Sequence, residues 1–288
     1  IKNWGLDIVR ENEESSPKDW FFGAVEVYDI AKIPEEKRKL HLPPGEVQRS
    51  DHDDMMDCTS RAVNNILEAK LNWLIEEQII SYADELWLKT KGYVTANGVE
   101  LSDAYLAIKS NTTRRGNSLK APFEAARKHG LIPKVTLPLR KDMTFDEYHD
   151  PQRITPEIDA LGAEFLRRFP INYLKIMAED YPLNQKKDFL AMAGYGWPNP
   201  NGYGIYPRVN NPFNHAFVTY RGLYEAFDNY TDTDGDYLKS LAPDYRFFEY
   251  GYWVTISKPT RLPVPLPPPK ISLRFLQWLI NWLNQTFT

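Results

Sequence analysis

The only cysteine in the chain, Cys58, stands in Asp57-Cys58-Thr59-Ser60-Arg61, between an acidic loop and a run of helical period. A thiol at such a junction faces the unpaired backbone N–H groups and the positive dipole end of the helix, which favours thiolate. The competing reading, a small buried apolar side chain, fits less well because no apolar run flanks the cysteine. A thiolate nucleophile works with a base and with a group that orients the base. Of the five histidines, His41, His129 and His149 read as surface residues, and His52 as a solvated residue of the acidic loop. His215 differs, because it follows the turn-rich Asn210-Asn211-Pro212-Phe213-Asn214 and opens the apolar run His215 to Tyr220. A strand starting there projects its imidazole from a sheet edge. Further on, Phe227-Asp228-Asn229-Tyr230 ends the next strand-like run. Antiparallel pairing across Arg221-Gly222 sets Asp228 or Asn229 beside His215, and either can accept the imidazole N–H and fix its tautomer. The chemistry open to such a trio is acyl transfer.

The elements that must position these residues are visible as periodicities. Ala62, Val63, Ile66, Leu67, Leu71 and Leu74 predict a helix from about 59 to about 78 with one buried face. A second helical pattern passes through Tyr82, Leu86 and Leu88, and Glu100 to Lys109 reads as a short helix. Ser118 is placed as the N-cap of a helix over Leu119 to His129, with Gly130 just past its end. Thr155 and Pro156 open another helix that ends near Phe169-Pro170. From about 171 the character changes. Gly194 to Pro212 has the Gly, Pro, Asn and Tyr content of long loops, and strands are predicted at 215–220, 223–230 and 247–256. Helices first and strands later predict an α+β chain of two unlike lobes.

The expected organisation is an arm with little regular structure over 1–45, a mainly helical lobe over 46–170, a β-rich lobe over 171–257, and a tail over 258–288. The arm holds the aromatic anchor Trp20-Phe21-Phe22. The tail joins a stiff Pro263-Val264-Pro265-Leu266-Pro267-Pro268-Pro269 to a short amphipathic helix, whose apolar residues between 271 and 283 would dock on the body, on a protein partner or at a membrane interface. Asp232-Thr233-Asp234-Gly235-Asp236 looks like a calcium-loop fragment, but that register puts Leu241 at the twelfth position, where an oxygen ligand belongs. A hairpin loop is the better reading. No Cys/His cluster points to zinc and no glycine-rich loop to phosphate, so no cofactor is expected.

With 288 residues the chain can bury roughly three-quarters of its unfolded surface without staples. A net charge of -4 and a pI near 5.8 give no electrostatic footprint for nucleic acid. A lone cysteine excludes an intrachain disulfide. No apolar run reaches the length of a membrane span, and the start at Ile1 lacks a signal-peptide pattern, so a cytoplasmic or virion-associated setting is expected.

The order of Cys at a helix start, His opening a strand, and a carboxylate or amide ending the following strand resembles that of papain-like cysteine peptidases. Leu42-Pro43-Pro44-Gly45-Glu46-Val47-Gln48, Met56-Asp57-Cys58, Arg115-Gly116-Asn117-Ser118-Leu119 and His215-Ala216-Phe217-Val218 are similar to divergent phage and bacterial members, and the resemblance spans about 20–257. It implies a papain-like two-lobed fold with the site in the cleft between lobes, a polypeptide substrate and no cofactor. It implies catalytic roles for Cys58, His215 and Asp228 or Asn229, and an oxyanion-stabilising role for Gln48. Asp228 is preferred over Asn229, because a negative group better stabilises an imidazolium. The family's oxyanion Gln usually lies six residues before the cysteine, whereas Gln48 lies ten before and His52 holds the usual spacing. Thr59 stands where the family has Trp, and Gly116-Asn117 is the nearest match to its substrate-binding double glycine. Two other outcomes of the same resemblance are a peptidoglycan amidase or endopeptidase and a catalytically silent virion protein.

Overall fold

The computed structural model describes residues 5–7, 9–10, 29–194, 200–201, 203–208, 213–231 and 236–258. The expected aromatic anchor at 20–22, the loop tip at 232–235 and the tail with its helix lie outside the described residues.

The fold is organised around α1, Cys58–Glu76. The sequence predicts one buried face; instead sixteen of its nineteen residues are buried, including Arg61, Asn64, Asn65, Glu68 and Lys70. The reason is that α1 is covered by the sheet on one side and by shorter helices and the arm elsewhere. The other helices are α2 (Tyr82–Thr90), α3 (Asp103–Lys109), α4 (Lys120–His129) and α5 (Pro156–Arg168), of which α3 and α4 pack on α1 and α5 packs on α4. Their caps follow the sequence. Ser118 Oγ accepts from Ala121 N at 3.1 Å, and Thr155 Oγ1 from Ile158 N at 3.5 Å. Gly130 ends α4 at φ 75°, the left-handed conformation that glycine adopts without strain.

A small hairpin pairs β1 (Val94–Thr95) with β2 (Gly98–Val99). The main sheet has seven strands: β3 (Ile171–Met177), β4 (Leu190–Gly194), β5 (Ile205–Tyr206), β6 (His215–Arg221), β7 (Glu225–Phe227), β8 (Leu238–Leu241) and β9 (Tyr250–Ile256). They lie in the order β3-β9-β4-β6-β7-β8-β5, antiparallel except for β5 with β8. Strand alternation sorts the faces. Ala191, Ala193, Ala216, Val218 and Tyr220 join the core around α1, whereas Leu190, Met192 and Phe217 build a second core with Ile176, Tyr206 and Tyr245. The small residues of β4 and β6 allow α1 to approach the sheet closely. β7 is shorter than the predicted 223–230, because residues 222–224 form the turn and the chain leaves the ladder after Phe227.

Part of the arm also departs from expectation. Glu35–His41 is a 3-10 helix, and its Arg38 is fully buried, donating to the main-chain carbonyls of Ile33, Gln185, Lys186, Asp188 and Tyr220. None of the three histidines read as surface residues is fully exposed. His41 is buried against Trp73, with Nδ1 3.2 Å from Glu76 Oε2, while His129 and His149 are half-buried.

Lys70 joins arm, helix and sheet. Its ammonium, wholly buried, lies 2.7 Å from Asp29 Oδ2 and also donates to Asp188. Burial acts to lower its pKa, but the two carboxylates outweigh this and raise it, so it is held as the cation. Lys70→Met strands two buried carboxylates and should cost about 3–5 kcal/mol in urea denaturation. A loss under about 1 kcal/mol would show that the triad is solvated.

Candidate active site

Cys58 is the first residue of α1, so its sulfur lies at the positive end of the helix dipole. Two features hold that end in place. Met56 has φ 54°, an unusual conformation for a side chain of its size, and turns the loop into the helix. Asp57 does not cap the helix. Its carboxylate accepts from Arg61 Nε at 2.9 Å and Tyr148 Oη at 2.6 Å, and Arg61 continues to Asp103 at 3.0 Å.

The start of β6 delivers His215 to the same point. His215 lies near enough to Cys58 for the two side chains to influence each other's ionisation, and the Ala216 N–H also acts on the sulfur. On the ring's other side Nε2 lies 2.8 Å from Asp228 Oδ1. A carboxylate only accepts, so Nε2 carries the hydrogen in this bond. Asn229 takes a different partner: its Oδ1 accepts from Asn65 Nδ2 of α1 at 3.2 Å. The structure thus pairs His215 with Asp228 near Cys58 and leaves Asn229 to tie the strand end to the helix.

Gln48 reaches this region because the loop between it and the cysteine is folded back on itself. Arg49 and Asp54 form an antiparallel bridge, Met55 N donates to Gln48 O at 3.0 Å, and Ser50 Oγ accepts from His52 N and Asp53 N. The extra residues are looped out as a hairpin, with His52 exposed near its tip. Gln48 is fully buried, and its Nε2 donates to Asp54 Oδ1 at 2.8 Å. Asp54 Oδ2 accepts from Tyr230 Oη at 2.6 Å, and the Tyr230 ring lies 5.4 Å from that of His215. Sequence reasoning missed Asp54, which carries no local signature beyond being one acid among several.

The site is covered. Cys58, His215, Asp228 and Gln48 all have zero exposure. Across the thiol runs Gly5-Leu6-Asp7. A Cβ added to Gly5 would stand only 3.0 Å from Cys58 Sγ. Asn117 N donates to Gly5 O at 2.9 Å, Asp7 N to Asn117 O at 2.8 Å, and Leu6 N to Asn214 O at 3.3 Å. The segment is therefore held by main-chain bonds between the residues just before α4 and the residue just before His215. Gly116 makes room for it at φ 93°, since a Cβ there would lie 2.0 Å from Gly5 O.

Burial raises the Cys58 pKa, against the lowering effects of His215 and the Ala216 N–H. For His215 burial acts downward, but the Asp228 charge and the hydrogen bonds from Asp228 and Cys58 prevail and push the pKa up to about 10. The folded protein therefore keeps a proton that the unfolded chain, with imidazole near 6.5, releases. This stabilisation is complete below about pH 6.5 and is lost as the pH rises through about 10. Wild type should lose stability across that window, and Asp228→Asn should show a much flatter curve in urea titrations. Parallel curves would contradict the His215–Asp228 pairing.

No protein-family model and no curated protein matches the sequence. Solved structures match in fold. A major ragweed pollen allergen, a cysteine protease in its proform, gives a TM-score of 0.51 at 14% identity over 89% of this chain and 76% of that one. The cysteine protease and lectin-like domains of a surface-layer-associated protein of Clostridium difficile give 0.50 at 11% identity, over 77% of this chain and 51% of that one. This chain thus spans about half the length of the clostridial one. At such identities the likeness is one of architecture: the chain has the α+β, two-lobed fold of papain-like cysteine proteases.

Proposed function

We propose that this protein is a cysteine peptidase that hydrolyses peptide amides through Cys58. The observation that carries the reading is the buried His215–Asp228 pair set beside Cys58 at the N-terminus of a buried helix. The protonated His215 holds the sulfur as thiolate, and the sulfur attacks the substrate carbonyl carbon to give a tetrahedral oxyanion. The Cys58 backbone N–H and the Gln48 amide stabilise that oxygen. The imidazolium gives its proton to the departing amine as the C–N bond breaks, leaving a thioester. Water, deprotonated by His215, then attacks the thioester, releasing the acid and restoring the thiol. Asp228 keeps the Nε2–H in place and stabilises the imidazolium throughout. No cofactor takes part in these steps.

Substrate must occupy the channel that Gly5-Leu6-Asp7 fills, so the covered form is the latent form. The backbone groups of Asn117 and Asn214 that hold this segment are the ones offered to a substrate strand once it leaves.

Two experiments test the reading. Cys58→Ala should abolish hydrolysis of unfolded protein with little change in melting temperature, and retained activity would remove Cys58 from the mechanism. Running purified cell wall alongside separates a peptidase from a peptidoglycan amidase. Gly116→Ala, which sets a methyl group against Gly5 O, should expel the covering segment and raise the rate of Cys58 alkylation by iodoacetamide at least tenfold. Deleting residues 1–10 should do the same. Unchanged rates in both would mean that the segment does not guard the thiol.

A further inference from the structure

Asp54 is bonded by four donors. Oδ1 accepts from Gln48 Nε2 at 2.8 Å and Met56 N at 3.0 Å, while Oδ2 accepts from Tyr230 Oη at 2.6 Å and Arg49 Nε at 3.1 Å. Four donors match the four lone-pair sites of a carboxylate. Its side chain is 18% exposed, so these bonds form largely out of water, where they are stronger. Each partner leads toward the reacting sulfur. Gln48 is the amide assigned to the oxyanion. Tyr230 packs beside the His215 ring, and Met56 is two residues before the nucleophile. Arg49 also lies over the Tyr230 ring, 5.2 Å from its centroid.

We infer that Asp54 is a positioning residue for the reaction, a clamp that sets the Gln48 amide and the Tyr230 ring around Cys58 and His215. The inference rests on the peptidase reading. An acceptor-only group fixes which end of the Gln48 amide faces it, because only the NH2 end can donate. The flip state of the amide is thereby settled before substrate arrives, which is what a preorganised oxyanion donor requires. A bare carboxylate so near a developing oxyanion would oppose it. Arg49, paired to the same carboxylate, offsets that charge. The hairpin that puts four more residues than usual between Gln48 and Cys58 is also the element that supplies both Arg49 and Asp54. The longer spacing thus comes with its own means of holding the amide.

The test uses the full-length chain and reads two rates on each variant: hydrolysis of a fluorogenic peptide, and alkylation of Cys58 by iodoacetamide, which forms no oxyanion. Opening of the covering segment enters both rates, so their ratio isolates the step that Asp54 governs. Asp54→Asn keeps the shape but can no longer accept on both sides. It should lower kcat about 10- to 100-fold with KM nearly unchanged and alkylation within twofold. In a Gln48→Ala background the same substitution should cost several-fold less than in wild type, because only its hold on Tyr230 is left to lose. A purely structural role would cost as much there as in wild type, and that result overturns the proposal. Tyr230→Phe, which removes one donor and keeps the ring, should lower kcat less than Asp54→Asn does. If Asp54→Asn fails to fold, Tyr230→Phe and its combination with Gln48→Ala carry the same comparison. Equal falls in hydrolysis and alkylation also overturn it, since Asp54 would then act on the thiol or its cover. A wild-type chain that is alkylated but hydrolyses nothing overturns the peptidase reading itself, and the role of Asp54 with it.

Discussion

A helix buried on nearly every side needs its charged groups answered from other parts of the chain, and α1 is such a helix. Lys70 is answered by Asp29 from the arm and Asp188 from the sheet lobe, Arg61 by Asp103 from α3, and Asn65 by Asn229 from the end of β7. Glu68 accepts from Leu101 N, and burial raises its pKa strongly, in line with the acids Glu46 and Asp103 around it. An unanswered charge at any of these positions costs several kcal/mol, as much as a sizeable share of the stability of an ordinary domain. The bonds therefore do more than support α1. They fix where the arm, the small helices and the sheet sit around it, and so where His215 arrives relative to Cys58.

What could be read from the sequence follows from the range of the forces involved. Helix starts are local: Ser118, Thr155 and Pro156 act within four residues, and they cap where expected. The apolar period of 62–74 located α1 but described only the side facing the core of its own lobe. Asn64, Glu68 and Lys70 look like solvent residues because their partners come from positions 29, 101, 103 and 188. His41 misled for the same reason, since Trp73 and Glu76 lie a long way down the chain.

The site shows the same division. Cys58 at a helix start and His215 at a strand start are local features and were legible. The choice between Asp228 and Asn229 was not, because adjacent residues differ by which face of the chain they occupy, and the strand ends one residue before them. That Asn65 claims Asn229 is a tertiary fact about α1. The long spacing between Gln48 and Cys58 is taken up by a hairpin closed by Arg49 and Asp54. Ser50, which caps the hairpin turn, is the only local sign that the loop would fold back.

The covering segment and the chemistry of the thiol are one problem rather than two. The largest influence on Cys58 in the covered form is loss of water, which disfavours thiolate, while His215 and the helix end favour it. Removing Gly5-Leu6-Asp7 readmits water on one side of the sulfur and leaves His215, the Ala216 N–H and the dipole untouched. The burial that opposes ionisation is eased, while the neighbours that favour it stay in place. Uncovering the sulfur and easing its ionisation are therefore a single change in the hydration of Cys58.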